Sequence, residues 1–316
     1  MDSLVPQIDL SNAKPAPQRQ AANVIELEAV FKKYGKLSVL KGLTLSVRQG
    51  EVYGFLGRNG AGKSTAIRIL MGVSNSDRGR VSLFGSHKKS QIVKHRQRIG
   101  FVAQEQNFYS WMNAKALGKF VGGFYPRWDK SLYSHLLQSF ELPNDRRIAG
   151  FSGGMKAKLA LSLALSSKPE LLLLDEPTAG MDPVARREFL DIVHSQAQQE
   201  GTTIFFSTHL MGDIEAVANR IGILDKGRLI YEGPLSALSD RIAAYSRPSS
   251  SADASALPGE LAPGSYAIIR QTDVAGTLTQ VIQFADFPLK EFELNPGWQR
   301  LPMSLEDIFV AIVSGT

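Results

Sequence analysis

The chain has 316 residues, of which 43% are hydrophobic and 21% are charged, a composition typical of a globular protein with a sizeable core. It contains no cysteine, which excludes disulfides and thiolate metal sites, and its formal net charge is +6. No apolar run approaches the roughly 18–20 residues needed to cross a bilayer. We expect no secretory signal, because the N-terminus lacks a charged start followed by an apolar run. Any membrane role is therefore expected to depend on a partner.

The N-terminal residues 1–22 are polar and include three prolines, which predicts a disordered tail. The alternation over residues 24–30 predicts a half-buried strand, and two more strands are predicted at 39–47 and 51–56. Tyr34 lies in the turn after the first strand. Its ring could stack on an adenine base or simply pack locally, and the choice depends on the loop that follows the third strand.

That loop matches the pattern G-x-x-x-x-G-K-[ST] between a predicted strand and a predicted helix, the context of a phosphate-binding loop. Its glycines let backbone N–H groups surround an anion, and the helix that begins there adds its positive dipole end. Lys63 would reach the β- and γ-phosphates, and the Ser64 hydroxyl would bind Mg²⁺. A Rossmann fingerprint fits less well, because the glycines fall as G-x-x-G-x-G. The predicted loop consists of Gly57, Arg58, Asn59, Gly60, Ala61, Gly62, Lys63, Ser64 and Thr65.

Two further strands are predicted at 81–85 and 99–103. The second leads into Gln104, which near a phosphate loop could ligate Mg²⁺ and orient a water. The segment 78–104 contains basic residues and no acidic ones. It could suit anionic lipid or nucleic acid, but we favour a solvated basic face on a protein that binds a polyanionic nucleotide.

From residue 107 to about 141 aromatic residues are dense and helical spacing dominates, which predicts a mainly helical insertion in an α/β domain. The aromatic residues could form the core of a small helical lobe or a hydrophobic groove for a partner helix. The two interpretations are equally favoured for Tyr109–Met112, and a core role is favoured for the others.

Ser152, Gly153 and Gly154 precede a helix predicted at 156–166. They form either a second anion-binding nest or an ordinary serine cap with glycines in its entry turn. Four leucines then predict a buried parallel strand that ends in Asp175 and Glu176. Asp175 is placed to bind Mg²⁺, and Glu176 to polarise an attacking water.

Asp182 precedes Pro183 and an amphipathic helix, which predicts an N-cap and leaves an added role at a subunit interface open. A buried strand at 203–207 should lie beside the Asp175 strand, which would place His209 near a γ-phosphate. Residues 221–231 predict a hairpin at the sheet edge.

The C-terminal part has no chemistry that the sequence identifies. Residues 246–265 are rich in Ser, Ala, Pro and Gly and predict a linker or long loop. Short strands are predicted near 266–271 and 278–284, and Ser304 begins a last helix with capping-box character. The predicted organisation is therefore a tail (1–22), an α/β domain (23–235, with a helical subdomain at about 107–162) and a C-terminal accessory domain (236–316).

Taken together, residues 24–232 resemble the nucleotide-binding subunit of an ATP-binding cassette (ABC) transporter. The loop at 57–65 is similar to its Walker A motif, and the leucine strand with Asp175 and Glu176 to Walker B with its catalytic glutamate. The segment 151–155 is similar to the signature motif. Single residues resemble the Q-loop, the switch histidine and the adenine-stacking aromatic, namely Gln104, His209 and Tyr34, and 179–182 resembles the D-loop. The resemblance implies an α/β P-loop (RecA-like) ATPase core with a helical subdomain and a small α+β C-terminal region.

The signature departs from its usual form L-S-G-G-Q, with Phe151 at the first position and Met155 at the last. Methionine there, and the stretch 304–309, are similar to the ATPases of ABC-2 exporters. The stretch 125–129 resembles a bacterial subgroup of these ATPases, some of which are linked to antibiotic-responsive regulators.

The resemblance implies ATP and Mg²⁺ as ligands and a head-to-tail dimer with a second copy or a close paralogue. Each ATP would lie between two chains. One chain would contribute Ser152, Gly153 and Gly154, and the other Lys63, Ser64, Gln104, Asp175, Glu176 and His209. Transmembrane permease subunits at the cytoplasmic face of the membrane would dock near Gln104 and Tyr109–Met112, and no nucleic acid is expected. The alternative is a soluble ABC ATPase acting on nucleic acid or ribosomes, with 78–104 as its footprint. One cassette, no long heptad run and no basic tail argue against it. The segment at Ser152 argues against a P-loop kinase or GTPase.

Overall fold

The computed structural model describes residues 22–87, 89–249, 258, 266–284 and 294–314. The predicted tail therefore lies outside the described residues, except for residue 22. The strands are β1 (Asn23–Tyr34), β2 (Leu37–Arg48), β3 (Val52–Gly57), β4 (Arg78–Leu83), β5 (Ile99–Val102), β6 (Leu171–Asp175), β7 (Thr203–Thr208), β8 (Arg220–Asp225), β9 (Arg228–Pro234), β10 (Ile242–Pro248), β11 (Tyr266–Val274), β12 (Thr277–Phe284) and β13 (Gln299–Leu301).

The α-helices within the same described ranges are 7 to 18 residues long. They are α1 (Lys63–Leu70), α2 (Lys89–His95), α3 (Ala114–Gly122), α4 (Lys130–Ser139), α5 (Gly153–Ser166), α6 (Pro183–Glu200), α7 (Met211–Val217), α8 (Leu235–Arg241) and α9 (Leu305–Ser314). Within these ranges no helix is both long enough and apolar enough to span a membrane.

The central sheet positions the site. Its order is β5-β6-β7-β3-β8-β9, and its strands run parallel except for the antiparallel β8–β9 hairpin at one edge. Every residue of β3, β6 and β7 is buried, as expected for inner parallel strands with both faces covered. The predicted edge hairpin and the predicted pairing of the Asp175 strand with the strand before His209 are both confirmed.

A second sheet, β2-β1-β4, is antiparallel and packs over α1. β1 and β2 each have buried and exposed residues, which confirms the half-buried character predicted from residues 24–30. The alternation is interrupted in β1, where Glu28 and Ala29 are both exposed. β1 bulges at Ala29, and Gly79 of β4 lies against the bulge with φ +89°. A Cβ at Gly79 would lie 2.3 Å from the Ala29 carbonyl oxygen, so only glycine fits there.

The helical lobe consists of α3, α4 and α5, and it confirms the predicted helical insertion. Tyr133 of α4 is buried and donates a hydrogen bond of 2.7 Å to the Ala114 carbonyl. Its ring packs directly on Gly118 of α3, where a Cβ would lie 2.1 Å from the ring. The lobe therefore depends on a small residue at this crossing of two helices.

We expect Gly118→Ala to lower the free energy of unfolding by about 1–3 kcal/mol, because the added methyl displaces the Tyr133 ring in a packed core. Urea or thermal unfolding of the full chain measures this. Gly123→Ala is the matched control: it caps the same helix, and its Cβ would approach Phe120 O no closer than 3.4 Å. Equal stability of the two variants would contradict the packing described.

The core role predicted for the aromatic residues of the lobe is correct for some and wrong for others. Tyr133 and Phe140 are buried. Phe120 lies on α3 and Phe124 follows its end, and their side chains are 44% and 62% exposed. They join Tyr109 and Trp111 in an exposed row of rings whose neighbouring centroids are 5.4–6.0 Å apart. We refer to these four residues as the aromatic row.

The C-terminal strands form an antiparallel sheet of order β11-β12-β10-β13. The predicted loop at 246–265 is wrong at its start. Residues 246–248 belong to β10, which pairs with β12 on one side and β13 on the other, so non-local pairing overrides the polar local sequence. Apart from residues 249 and 258, the rest of that prediction lies outside the described residues. The capping box is present: the Ser304 hydroxyl accepts from Asp307 N at 3.1 Å, and Ser304 N donates to the Asp307 carboxylate at 3.0 Å.

Candidate nucleotide-binding site

The predicted phosphate loop connects β3 to α1. Gly60 and Gly62 have φ values of +81° and +114°, in the left-handed region that favours glycine. A Cβ at Gly62 would lie 2.8 Å from Leu40, so the loop needs glycine there for space as well as for conformation. The loop curls at the N-terminus of α1, where backbone N–H groups and the helix dipole favour an anion.

Lys63 is at the centre of the site and is only 4% exposed. Its ammonium donates to the Gly57 carbonyl at 2.7 Å and to the Arg58 carbonyl at 3.2 Å. It also lies 2.9 Å from Glu176 Oε1, in an ion pair whose partners are both more than nine-tenths buried. A buried ammonium with these partners can exchange the carboxylate for a phosphate oxygen without losing charge compensation.

Asp175 ends β6 beside two hydroxyl groups. Its Oδ1 accepts hydrogen bonds from Ser64 Oγ at 3.0 Å and from Ser207 Oγ at 2.8 Å. Burial raises the pKa of Asp175 above its usual value, and the two hydroxyl hydrogen bonds act in the opposite direction. A carboxylate next to a serine hydroxyl is an oxygen pair that suits Mg²⁺, which is usually held by one or two carboxylates together with substrate phosphates.

Glu176 and His209 meet at the carboxyl ends of β6 and β7, which are parallel neighbours. His209 Nδ1 lies 2.8 Å from Glu176 Oε2, so the two carboxylate oxygens contact His209 and Lys63 separately. The backbone of Glu176 has φ +46°, a conformation uncommon for a residue with a side chain and often found where a site constrains it.

Ser152 caps α5, and its hydroxyl accepts from Met155 N at 3.2 Å. Ser152 and Gly153 are exposed, and a Cβ at Gly153 would meet no atom within 4 Å. The N-terminus of this 14-residue helix is therefore open to the surface. Ser152 is therefore the predicted N-cap, and the space beside Gly153 leaves room for an anion from outside the chain.

Two predicted site residues are not brought into these contacts. Gln104 follows β5, the neighbour of β6, but it is exposed and makes no hydrogen bond with Ser64 or Asp175 within the described ranges. Tyr34 is 47% exposed, and its ring packs against Lys32. Their roles in binding stay predictions.

The structure adds residues that the motifs did not point to. Ser207 holds Asp175 and also lies 3.3 Å from Glu176 N. Aligning β6 with β7 in register, with Asp175 opposite Ser207, could have found it. Asp213 is fully buried and accepts from Thr178 at 2.5 Å and from Arg186, which fixes the turn after Glu176 to the start of α6. No local sequence pattern indicates this contact. Asp182 accepts from the first N–H groups of α6, which confirms the predicted cap.

Comparison with known proteins gives consistent results. The sequence pattern of the family described as "ABC transporter" matches residues 40–179. The bacitracin transport ATP-binding protein BcrA of Enterococcus faecalis is 32% identical over 308 residues, covering 92% of this chain and 97% of that protein. A Nod factor export ATP-binding protein I of Burkholderia orbicola is 34% identical, covering 91% and 96%. The linearmycin resistance ATP-binding protein LnrL of Bacillus subtilis is 36% identical, covering 69% and 72%.

Solved structures agree on the fold. An ATP-binding subunit of an ABC transporter superposes with a TM-score of 0.62 at 28% identity and covers 68% of this chain and 91% of that one. A dimeric ATP-binding cassette with ADP and phosphate superposes with a TM-score of 0.61 at 24% identity, covering 67% and 98%.

The fold and the site define a P-loop ATPase of the α/β class with a helical lobe, as predicted. The chain belongs to the ABC transporter family and is one of its ATP-binding proteins. The predicted binding and hydrolysis of ATP are confirmed at the level of this family, and the relatives are named for transport, export and resistance. An ATPase that acts on nucleic acid or ribosomes is not favoured.

Proposed function

We propose that this chain is the ATPase of an exporter of the ABC-2 class, in which two copies bind two ATP molecules between them and drive separate membrane subunits. The observation that carries the proposal is the buried contact of Lys63 with Glu176, next to the Ser64–Asp175 pair. In this arrangement the lysine, the hydroxyl and the two carboxylates of a phosphoryl-transfer site converge at the carboxyl ends of the inner strands β3 and β6. The proposal divides the chain into an ATP-binding domain at 23–235, which includes the helical subdomain at 107–162, and an accessory domain at 236–316.

Each group in the proposed site has one task. The loop at 57–65 surrounds the phosphates and Lys63 binds the terminal ones. Ser64 and Asp175 would hold Mg²⁺, with Gln104 as a further ligand, and the bound ion would neutralise part of the phosphate charge. Tyr34 stacks on the adenine ring.

The Lys63–Glu176 ion pair suggests how the substrate activates its own hydrolysis. A γ-phosphate near Lys63 competes with Glu176 for the ammonium, and the released carboxylate oxygen is then available to a water molecule. As that water attacks the γ-phosphorus, Glu176 accepts its proton, the bond from the γ-phosphorus to the β–γ bridging oxygen breaks, and ADP leaves with the electron pair. His209 holds the other carboxylate oxygen of Glu176 in place. Because the two oxygens of Glu176 have different partners, one can be exchanged while the other stays fixed.

The open end of α5 supports the proposed dimer. Ser152, Gly153 and Gly154 offer a hydroxyl and helix N–H groups to an anion, and the exposure of Ser152 and Gly153 lets a second chain supply that anion. With ATP bound, that anion is the γ-phosphate on the partner copy. After hydrolysis the terminal phosphate leaves and the attraction is lost, so ATP favours the closed dimer by differential binding.

The membrane partner is proposed to dock on the aromatic row at Tyr109, Trp111, Phe120 and Phe124. Exposed rings in contact with one another form an apolar surface of the kind that marks an interaction site. The aromatic row begins five residues after Gln104, so a displacement of the row by the membrane partner would be passed along this short segment to the nucleotide site. Through this contact the chain would act at the cytoplasmic face of the membrane.

We expect Trp111→Ala to weaken the association with the membrane subunit at least about tenfold, since an exposed interface tryptophan is a common hot spot. Co-purification with the membrane subunit measures the association, and the ATPase activity of the isolated chain should be unchanged. The control is Leu37→Ala, which changes a side chain that is 67% exposed on β2, outside the helical lobe. Equal loss of association and ATPase activity in Trp111→Ala would instead indicate a core role.

A further inference from the structure

The end of β1 that carries Tyr34 is fastened to the segment that follows α1. Asp77 Oδ2 accepts from the backbone N–H of Lys33 at 2.6 Å, and Asp77 N donates to the Phe31 carbonyl at 2.9 Å. Asp77 thus makes hydrogen bonds to the main chain on both sides of Lys32. These contacts fix the direction in which the chain enters Tyr34.

Asp77 also controls what lies behind the ring of Tyr34. Its Oδ1 is 3.3 Å from the ammonium of Lys32, and that ammonium lies 5.1 Å from the centroid of the Tyr34 ring. This is within cation–π distance. Lys32 is only 13% exposed, which indicates an ordered side chain. One face of the ring is therefore covered by a cation and the other is left for stacking.

The same segment is attached to the phosphate helix. Ser74 N donates to the Arg68 carbonyl of α1 at 3.1 Å, and the Ser74 and Tyr34 hydroxyl groups are 3.4 Å apart. α1 begins at Lys63, in the phosphate loop. The contacts through Ser74 therefore set the distance between the Tyr34 ring and that loop. The Lys33 N–H and the Lys32 ammonium lower the pKa of Asp77, so its carboxylate is charged at neutral pH.

We propose that Asp77 is a positioning residue for nucleotide binding, which holds Lys32 behind Tyr34 and presents a single ring face to the base at a fixed distance from the phosphate loop. The inference rests on the proposed stacking role of Tyr34. Preorganisation of this kind contributes to affinity for ligands that carry a base and not for phosphates alone. Asp77 itself does not contact the nucleotide.

The test compares the dissociation constants of ADP and of inorganic pyrophosphate, neither of which the chain consumes. Asp77→Ala should weaken ADP binding about two- to fivefold, the range of an exposed cation–π contact, and leave pyrophosphate binding unchanged. Asp77→Asn keeps an acceptor for Lys33 N–H but loses the charge, so its effect should be intermediate. Asp191→Ala, which removes an exposed carboxylate that pairs with Arg187 on α6, is the control and should match the unmodified chain.

Tyr34→Ala separates the two levels of the proposal. It should weaken ADP binding by more than Asp77→Ala, and adding Asp77→Ala to it should have no further effect. If Tyr34→Ala weakens ADP binding and Asp77→Ala does not, the role of Asp77 is refuted while the stacking role survives. If the Asp77 effect persists without Tyr34, or is equal for pyrophosphate, Asp77 does not act through the ring. Unchanged ADP binding in Tyr34→Ala would remove both roles.

Discussion

Lys63→Ala is expected to reduce ATP hydrolysis by at least about 100-fold, because it removes the buried cation that would contact the transferred phosphoryl group. No other lysine in the part of the chain that the structure describes donates to the carbonyls of the phosphate loop. Steady-state phosphate release from the full chain measures the effect. Lys226→Ala, which removes an exposed lysine at the β8–β9 turn, should keep near-normal turnover.

The substitution also leaves Glu176 buried without its cation, which by itself destabilises a fold by roughly 3–5 kcal/mol when a buried pair is broken. The double variant Lys63→Ala/Glu176→Gln removes both charges and should unfold at a higher temperature than Lys63→Ala alone. It should be equally inactive. Near-normal turnover in a folded Lys63→Ala variant would refute the phosphate role.

Glu176→Gln is expected to convert ATP into a stable link between two copies of the chain. Glutamine keeps a hydrogen-bonding group near His209 but cannot take a proton from water, so turnover should fall about 100- to 10,000-fold while ATP still binds. It also removes the carboxylate that competes for Lys63, which favours phosphate at the ammonium. ATP therefore persists, and size-exclusion chromatography with ATP and Mg²⁺ should show a dimer.

Two controls make this result specific. Glu28→Gln, which changes an exposed glutamate on β1, should leave hydrolysis and the monomer–dimer equilibrium unchanged. Adding Ser152→Arg to Glu176→Gln places a bulky side chain at the open end of α5 and should prevent the dimer without preventing ATP binding. A Glu176→Gln chain that stays monomeric with ATP, alone and with its membrane partner, would contradict the proposed sandwich.

Much of the fold follows from strong local patterns. The run Leu171–Leu174 predicts a buried parallel strand because it is short, wholly apolar and followed by two acids and a proline. The phosphate loop follows from glycines at positions where φ is positive and space is short, as Gly62 shows. The spacing of the leucines and glycines is visible in the local sequence, although the lack of space at Gly62 comes from Leu40 of β2.

What could not be predicted depends on residues distant in sequence. Residues 246–248 look like a loop, yet all three pair with β12, and Ser246 also pairs with β13. Phe124 looks like a core residue, yet it follows the end of α3 and is exposed, which its local sequence does not indicate. Nothing local distinguishes Ser207 and Asp77. The register of β6 with β7 brings Ser207 to Asp175, and the pairing of β4 with β1 brings Asp77 to Lys33.

The most direct test of the central claim is a structure of Glu176→Gln with ATP and Mg²⁺. We predict two copies arranged head to tail, with each triphosphate in the 57–65 loop and its γ-phosphate within hydrogen-bond distance of Lys63 and of Ser152 from the other copy. Nucleotide bound elsewhere on the chain, or a nucleotide-filled pair in which Ser152 is far from the opposite phosphates, would contradict the account.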